Sequence, residues 1–225
     1  SREYGATGRC LVLVTDDAER TLATFLGVSA DLGPEAIDEK ALQASDMLYI
    51  EGYLASSERS SRAALEAYQI AKENNISIAL TFSDQTIVTF FRDKLEAIIG
   101  GGIDLLFCNE QEARQWGSCS TLRGAFDQLK EIAATWVCTQ GKNGVTVFDG
   151  NREVSIPGRA VRAIDTNGAG DMFAGAFLHG IHQGWSFEKA ARFGVHTSSH
   201  LVTQYGPRLF RTDHISLLNE FETTT

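Results

Sequence analysis

The 225-residue chain is 43% hydrophobic and 22% charged, enough for one large globular domain, or one domain with a small appendage, to bury a core. Its 20 basic and 29 acidic side chains leave a net charge of -9 with no run of five like charges, which argues against nucleic acid or an anionic membrane as the main partner and for a small ligand. The cysteines Cys10, Cys108, Cys119 and Cys138 form no C-x-x-C pair, and no segment reads as a signal peptide or membrane span, so a cytoplasmic protein with reduced thiols is expected. Three of the four sit in or beside apolar stretches that read as buried.

The first elements are two β-like runs, Cys10 to Thr15 and Thr21 to Leu26, around the polar turn Asp16 to Arg20, which predict a hairpin. After Gly33 and Pro34, apolar runs at Met47 to Gly52, Ile76 to Phe82, Asp104 to Asn109 and Trp136 to Gly141 alternate with helical stretches. That alternation predicts an α/β fold with a mostly parallel sheet and helices on both faces. A helix from about Ser57 to Asn74 would pack through Ala64, Leu65, Tyr68 and Ala71 and leave Arg59, Glu66 and Glu73 wet. GVTVFDG and REVSIPG predict an antiparallel pair turning at Asp149 to Asn151. Helices near Ala169 to Gln183, Phe187 to Val202 and Asp213 to Phe221 complete the chain, with no internal repeat.

Chemistry concentrates in IDTNGAGDMFAGAFLHGI, Ile164 to Ile181, where a glycine-rich turn enters an apolar helix. Gly168, Ala169 and Gly170 let the backbone approach a ligand and aim unpaired N–H groups at a helix start, an anion hole. Asp171, on the first turn, is placed to accept a proton from a hydroxyl attacking beside that hole. The competing structural reading is that Asp171 caps a tightly packed helix. Two other glycine readings are set aside as weaker. Lys142 is followed by Asn143, not the Ser or Thr of a Walker A loop, and Phe173 stands where a dinucleotide fingerprint requires a small residue. His196 and His200, four apart, have zinc spacing but lack the metalloprotease glutamate and a third ligand. Asn109, Glu110 and Glu112, taken locally, read as a helix cap with dipole-complementing acids.

DTNGAGD with the following FAGAF resembles the C-terminal signature of the ribokinase-like (PfkB family) carbohydrate and adenosine kinases. CNEQEA matches that family's N-x-x-E motif at Asn109 and Glu112, and CTQGKNG its T-x-G-x-x-G loop at Thr139, Gly141 and Gly144. The resemblance implies a three-layer ribokinase-like sandwich, with residues 1-30 contributing a β lid and 31-225 the nucleotide-binding core. It also implies transfer of the γ-phosphoryl group of ATP to a hydroxyl of a sugar or nucleoside. Asp171 would be the base, Gly168 to Gly170 the anion hole, Asn109, Thr139, Gly141, Gly144, Thr166 and His196 the nucleotide side. Glu112 would hold Mg²⁺ through water. Asp165, with Asn167 and the loop around Thr203 to Gly206, would adjoin a monovalent cation such as K⁺. The lid segment GRCLVLVTDDAERTLATFLG resembles that of adenosine-kinase-like members, with Arg20 toward substrate, and implies a homodimer contact. The family's first strand, with its substrate-gripping aspartate, and its G-G motif have no counterpart here, so an N-terminally truncated fragment is one expectation. A non-catalytic nucleotide- or sugar-binding protein on a truncated kinase fold is the alternative reading, and a nicotinamide-dependent dehydrogenase a weaker enzymatic one.

Overall fold

The computed structural model describes residues 5–224; the first four residues of the expected lid segment and Thr225 lie outside the described residues. The described chain forms two compact units, one of residues 5–10 with Thr24–Cys138, the other of Leu11–Ala23 with residues 139–224. The predicted hairpin is present as β1 (Thr7–Val14) and β2 (Arg20–Gly27). Its base belongs to the first unit and its tip to the second.

In the first unit, α1 (Glu39–Gln43) precedes an alternation of β3 (Met47–Glu51), α2 (Glu58–Glu73), β4 (Ser77–Thr81), α3 (Gln85–Phe90), α4 (Arg92–Ile99), β5 (Ile103–Asn109), α5 (Glu110–Gly117), α6 (Leu122–Lys130) and β6 (Ala133–Thr139). The strands lie in the order β3, β4, β5, β6, with Met47 opposite Ser77 and Ala79 opposite Leu105 in parallel register. Consecutive residues Ile78, Ala79 and Leu80 are all fully buried, the mark of a parallel strand covered on both faces. Helix α2 begins where the Ser57 hydroxyl accepts from the Ser60 amide and ends at Asn74, and it buries Ala63, Ala64, Tyr68 and Ala71 while Arg59, Glu66 and Glu73 stay exposed. Strand β6 starts three residues before the expected Trp136, because the Ile103 amide reaches the Ile132 carbonyl and carries the pairing back toward Ala133. It stops at Thr139, short of Gly141, whose φ of 55° turns the chain.

The second unit pairs β7 (Val145–Phe148) antiparallel to β8 (Glu153–Ile156). Asp149 Oδ1 accepts from the Asn151 and Arg152 amides at 2.9 and 2.8 Å, which fixes the tight turn. Helices α7 (Ala169–His182) and α8 (Phe187–Leu201) follow, then α9 (Arg211–Thr224). A Cβ at Gly194 would stand 2.7 Å from the Phe173 ring and one at Gly180 2.9 Å from Ala190, so the small residues of this segment set how closely α7 and α8 approach.

Three of the four cysteines were expected to be buried, and the structure fully buries two. Cys108 and Cys138 are buried and Cys119 is half-buried, but Cys10 is exposed, as are Leu11, Leu13, Leu22, Phe25 and Leu26 on the same hairpin. A two-stranded ribbon has no second layer of its own to cover apolar side chains, so its pattern resembles a core strand without being one. Among the described residues no helix is long and apolar enough to cross a membrane.

Candidate active site

Strand β5 delivers Asn109 to the start of α5, and the N-x-x-E spacing folds into a closed pair of caps. Asn109 Oδ1 accepts from the Glu112 amide at 2.9 Å, and Glu112 Oε2 accepts from the Asn109 amide at 2.9 Å. Asn109 Nδ2 also donates to Glu112 Oε1 at 2.7 Å. The local cap reading is therefore correct as structure. It is incomplete as chemistry, because Glu112 is only 4% exposed and burial lifts its pKa from 4.5 to about 7. The Asn109 amide pulls that value down, and the Asp84 carboxylate adds a smaller upward push.

Asp84 was not singled out by sequence, nor was its neighbour Ser83, whose φ is 68° and whose hydroxyl donates to Glu51 Oε2 at 2.9 Å. Their signal is positional: they directly follow β4, and ligands of α/β sheets gather beyond the carboxyl ends of strands.

In the second unit the T-x-G-x-x-G segment forms a single turn of 3-10 helix, Gly141–Asn143, in which the Gly144 amide donates to Gly141 and the Gln140 amide returns to Gly144. Gly144 has a φ of 101°, and a Cβ there would lie 2.0 Å from the Ile156 carbonyl oxygen. Gly144→Ala is expected to cost ~2 kcal/mol or more, read as a lowered urea midpoint, since the atoms it would meet, at Ile156, Pro157 and Gly158, are all backbone and cannot swing aside.

The DTNGAGD segment folds into a clamped loop ahead of α7. Asp165 is 3% exposed; its Oδ1 accepts from the Asn167 amide at 2.8 Å and its Oδ2 from the Gly206 amide at 2.9 Å. Gly168 is the N-cap, at a φ of 76°, with the Pro207 backbone 2.7 Å from where a Cβ would sit. No side chain closes this cap, so the reading of Asp171 as the capping residue does not describe α7. Asp171 stands exposed on the first turn, where N–H groups lack intrahelical acceptors and anionic charge is favoured. Ala169 does not present a free amide: its N–H donates to Thr166 O at 3.3 Å. Arg20 reaches the same loop, Nη1 donating to Thr166 Oγ1 at 3.2 Å.

His196, on α8, has its Nδ1 against the Arg159 guanidinium and its Nε2 4.0 Å from Glu220. Burial lowers its pKa, and the neighbouring Arg159 charge lowers it further, so the ring is neutral at pH 7. Among the described residues no three His, Cys, Asp or Glu side chains converge as a metal cage, an arrangement that Mg²⁺, which keeps much of its water, does not need.

A sequence profile of the pfkB family of carbohydrate kinases matches residues 2–213. The chain belongs to that family. Among pfkB relatives, adenosine kinase of Saccharomyces cerevisiae is 28% identical over 89% of this chain, and ribokinase of Haemophilus influenzae 28% identical over 89%. The crystal structure of adenosine kinase from Sinorhizobium meliloti superposes with a TM-score of 0.90 at 30% identity over 97% of the chain. A ribokinase-II-like chain from E. coli, solved with ATP and Mg²⁺, has the same fold at a TM-score of 0.84 and 21% identity. The architecture is the ribokinase-like α/β sandwich with its small antiparallel pair. The chain spans 62% of the yeast adenosine kinase and 64% of the H. influenzae ribokinase.

Proposed function

We propose that the protein is an ATP-dependent kinase that moves the γ-phosphoryl group to a hydroxyl of a sugar or nucleoside, with Asp171 as the base. The observation that carries this reading is the exposed carboxylate of Asp171 on the first turn of α7, directly after an N-cap glycine held in a left-handed conformation. Asp171 takes the proton of the acceptor hydroxyl as its oxygen attacks the γ-phosphorus and the bond to the β-phosphate oxygen breaks, releasing ADP. The amides of Gly168 and Gly170 and the α7 dipole stabilise the charge on the transferred group, while the Ala169 amide holds the turn through Thr166 O.

The Asn109–Glu112 box, the turn at Thr139, Gly141 and Gly144, and His196 serve the nucleotide, while Thr166, its polar atoms all held within the protein, supports the loop ahead of α7. Both Glu112 oxygens accept from Asn109, and their remaining lone pairs would hold a hydrated metal ion through its water. Mg²⁺ would neutralise phosphate charge there. Asp165 is a buried carboxylate with no ion-pair partner among the described residues, a donor set that suits K⁺ lodged between it and the loop near Gly206. Residues 1-30 act as a lid over the core at 31-225, and Arg20 faces substrate from it.

The exposed leucines and Phe25 of the hairpin also suit a homodimer contact. Phe25→Asp is expected to halve the particle mass in light scattering, and a single-chain mass before mutation would contradict that contact. The acceptor is tested directly with the full-length protein: ADP release from MgATP, with and without K⁺, against a panel of sugars and nucleosides. Adenosine leads the panel because adenosine kinases recur among the relatives. ATP binding without turnover on any acceptor would instead support the binding-protein reading.

A further inference from the structure

The tip of the hairpin carries an oddity that its sequence does not announce. Asp17 and Glu19 are exposed, as tip residues are, yet Ala18 between them is only 3% exposed and holds a φ of 64°. An alanine in the left-handed region is strained unless its surroundings hold it there. The turn is stiff on its own account. The Thr15 amide donates to Glu19 O at 3.0 Å and the Ala18 amide to Thr15 O at 2.8 Å. The Thr15 hydroxyl and Glu19 amide both donate to Asp17 Oδ1, at 2.5 and 3.2 Å.

This conformation turns the Ala18 carbonyl onto Thr166, 148 residues away. The Thr166 hydroxyl donates to Ala18 O at 3.0 Å and the Thr166 amide to the same oxygen at 3.3 Å. Arg20 closes the link from its guanidinium to Thr166 Oγ1. Thr166 O in turn accepts from Ala169 N, the first amide of α7. Every polar atom of Thr166 is thus engaged, two of them by the hairpin and one by the helix start.

We propose that Arg20 and the Ala18 carbonyl are positioning groups for phosphoryl transfer: they fix Thr166, and Thr166 sets the aim of the α7 amides. This rests on the kinase reading for its consequence but not for its geometry. Asp165 secures the loop from the side of Gly206, and the hairpin secures it from the other. The shared hinge is the segment from Asp165 to Ala169. A hairpin displaced from Thr166 would leave the helix start intact but free to rotate away from the bound phosphate, so turnover falls while nucleotide affinity does not.

The test compares Arg20→Ala, Thr166→Val, their double variant and Thr166→Ser in the full-length protein, by kcat, KM for ATP and deuterium exchange of peptides spanning 164–171. Arg20→Ala, which breaks one hydrogen bond, is expected to lower kcat about fivefold, and Thr166→Val, which breaks two, about 25-fold, each with KM for ATP unchanged and exchange of the segment raised by a similar factor. The double variant should be no worse than Thr166→Val alone, because that substitution already removes the Arg20 link, and Thr166→Ser should restore the wild-type values. Unchanged exchange, additive losses, or a serine variant that behaves like valine would each overturn the proposal. Absence of turnover in the wild type would refute the kinase reading instead, and the exchange data would still decide whether the hairpin holds the loop.

Discussion

Replacing Asp171 with asparagine is expected to lower phosphoryl transfer by about 10²–10⁴-fold, the usual worth of a positioned general base, while ATP affinity and the melting temperature stay close to wild type. The carboxylate is exposed and accepts no hydrogen bond among the described residues, so its neutralisation leaves no buried donor unpaired. Asparagine keeps the size and the polar atoms but cannot take the proton. The only structural cost is the lost attraction of a negative charge to the first turn of α7, about 0.3–1 kcal/mol. Single-turnover transfer measured beside thermal unfolding separates the two effects. Full turnover in Asp171→Asn would remove Asp171 from the chemistry.

A second large effect is expected from Glu112, through pH. Its folded pKa of about 7 lies above the ordinary 4.5 because burial penalises the carboxylate. A carboxyl raised in this way contributes stability that is fully present below pH 4.5 and is lost as pH rises through 7, by about 3 kcal/mol at most. Glu112→Gln cannot ionise and keeps one oxygen for the Asn109 donors, so it should lose roughly 1 kcal/mol at pH 5.5 and gain on the wild type by pH 8. Urea midpoints of both proteins at the two pH values measure this. Parallel pH dependence in wild type and variant would mean that Glu112 is not the titrating group.

That a buried carboxylate destabilises the fold at neutral pH is itself informative. A leucine or methionine would pack there without that cost, and an N3 glutamine would still cap α5. Its placement on the first turn of α5, just beyond β5 and near Asp84, is the kind of local sacrifice that functional sites make.

The alternation of apolar runs from Met47 onward was legible because parallel strands buried on both faces leave nothing but apolar residues, as at Ile78 to Leu80. The caps at Ser57 and Asn109 were equally legible, since capping is decided within four residues. Features built by distant pairing were not. The Ala18 carbonyl is held by Thr166, far along the chain, and nothing in TDDAER distinguishes a docked tip from a free one. The exposure of Cys10 was not legible, because β propensity and burial share the same side chains, and only the presence of a covering layer separates them. At α7 the pattern supplied a glycine-rich helix start and an acid, while the absence of any side-chain cap at Gly168 needed the structure.

The most direct measurement is ³¹P NMR of the full-length protein with MgATP and each acceptor of the sugar and nucleoside panel, repeated with Asp171→Asn. The account predicts stoichiometric ADP and a phosphate monoester of one acceptor class, both absent with the variant. ATP that binds yet stays intact with every acceptor, or a monoester formed equally well by Asp171→Asn, would contradict it.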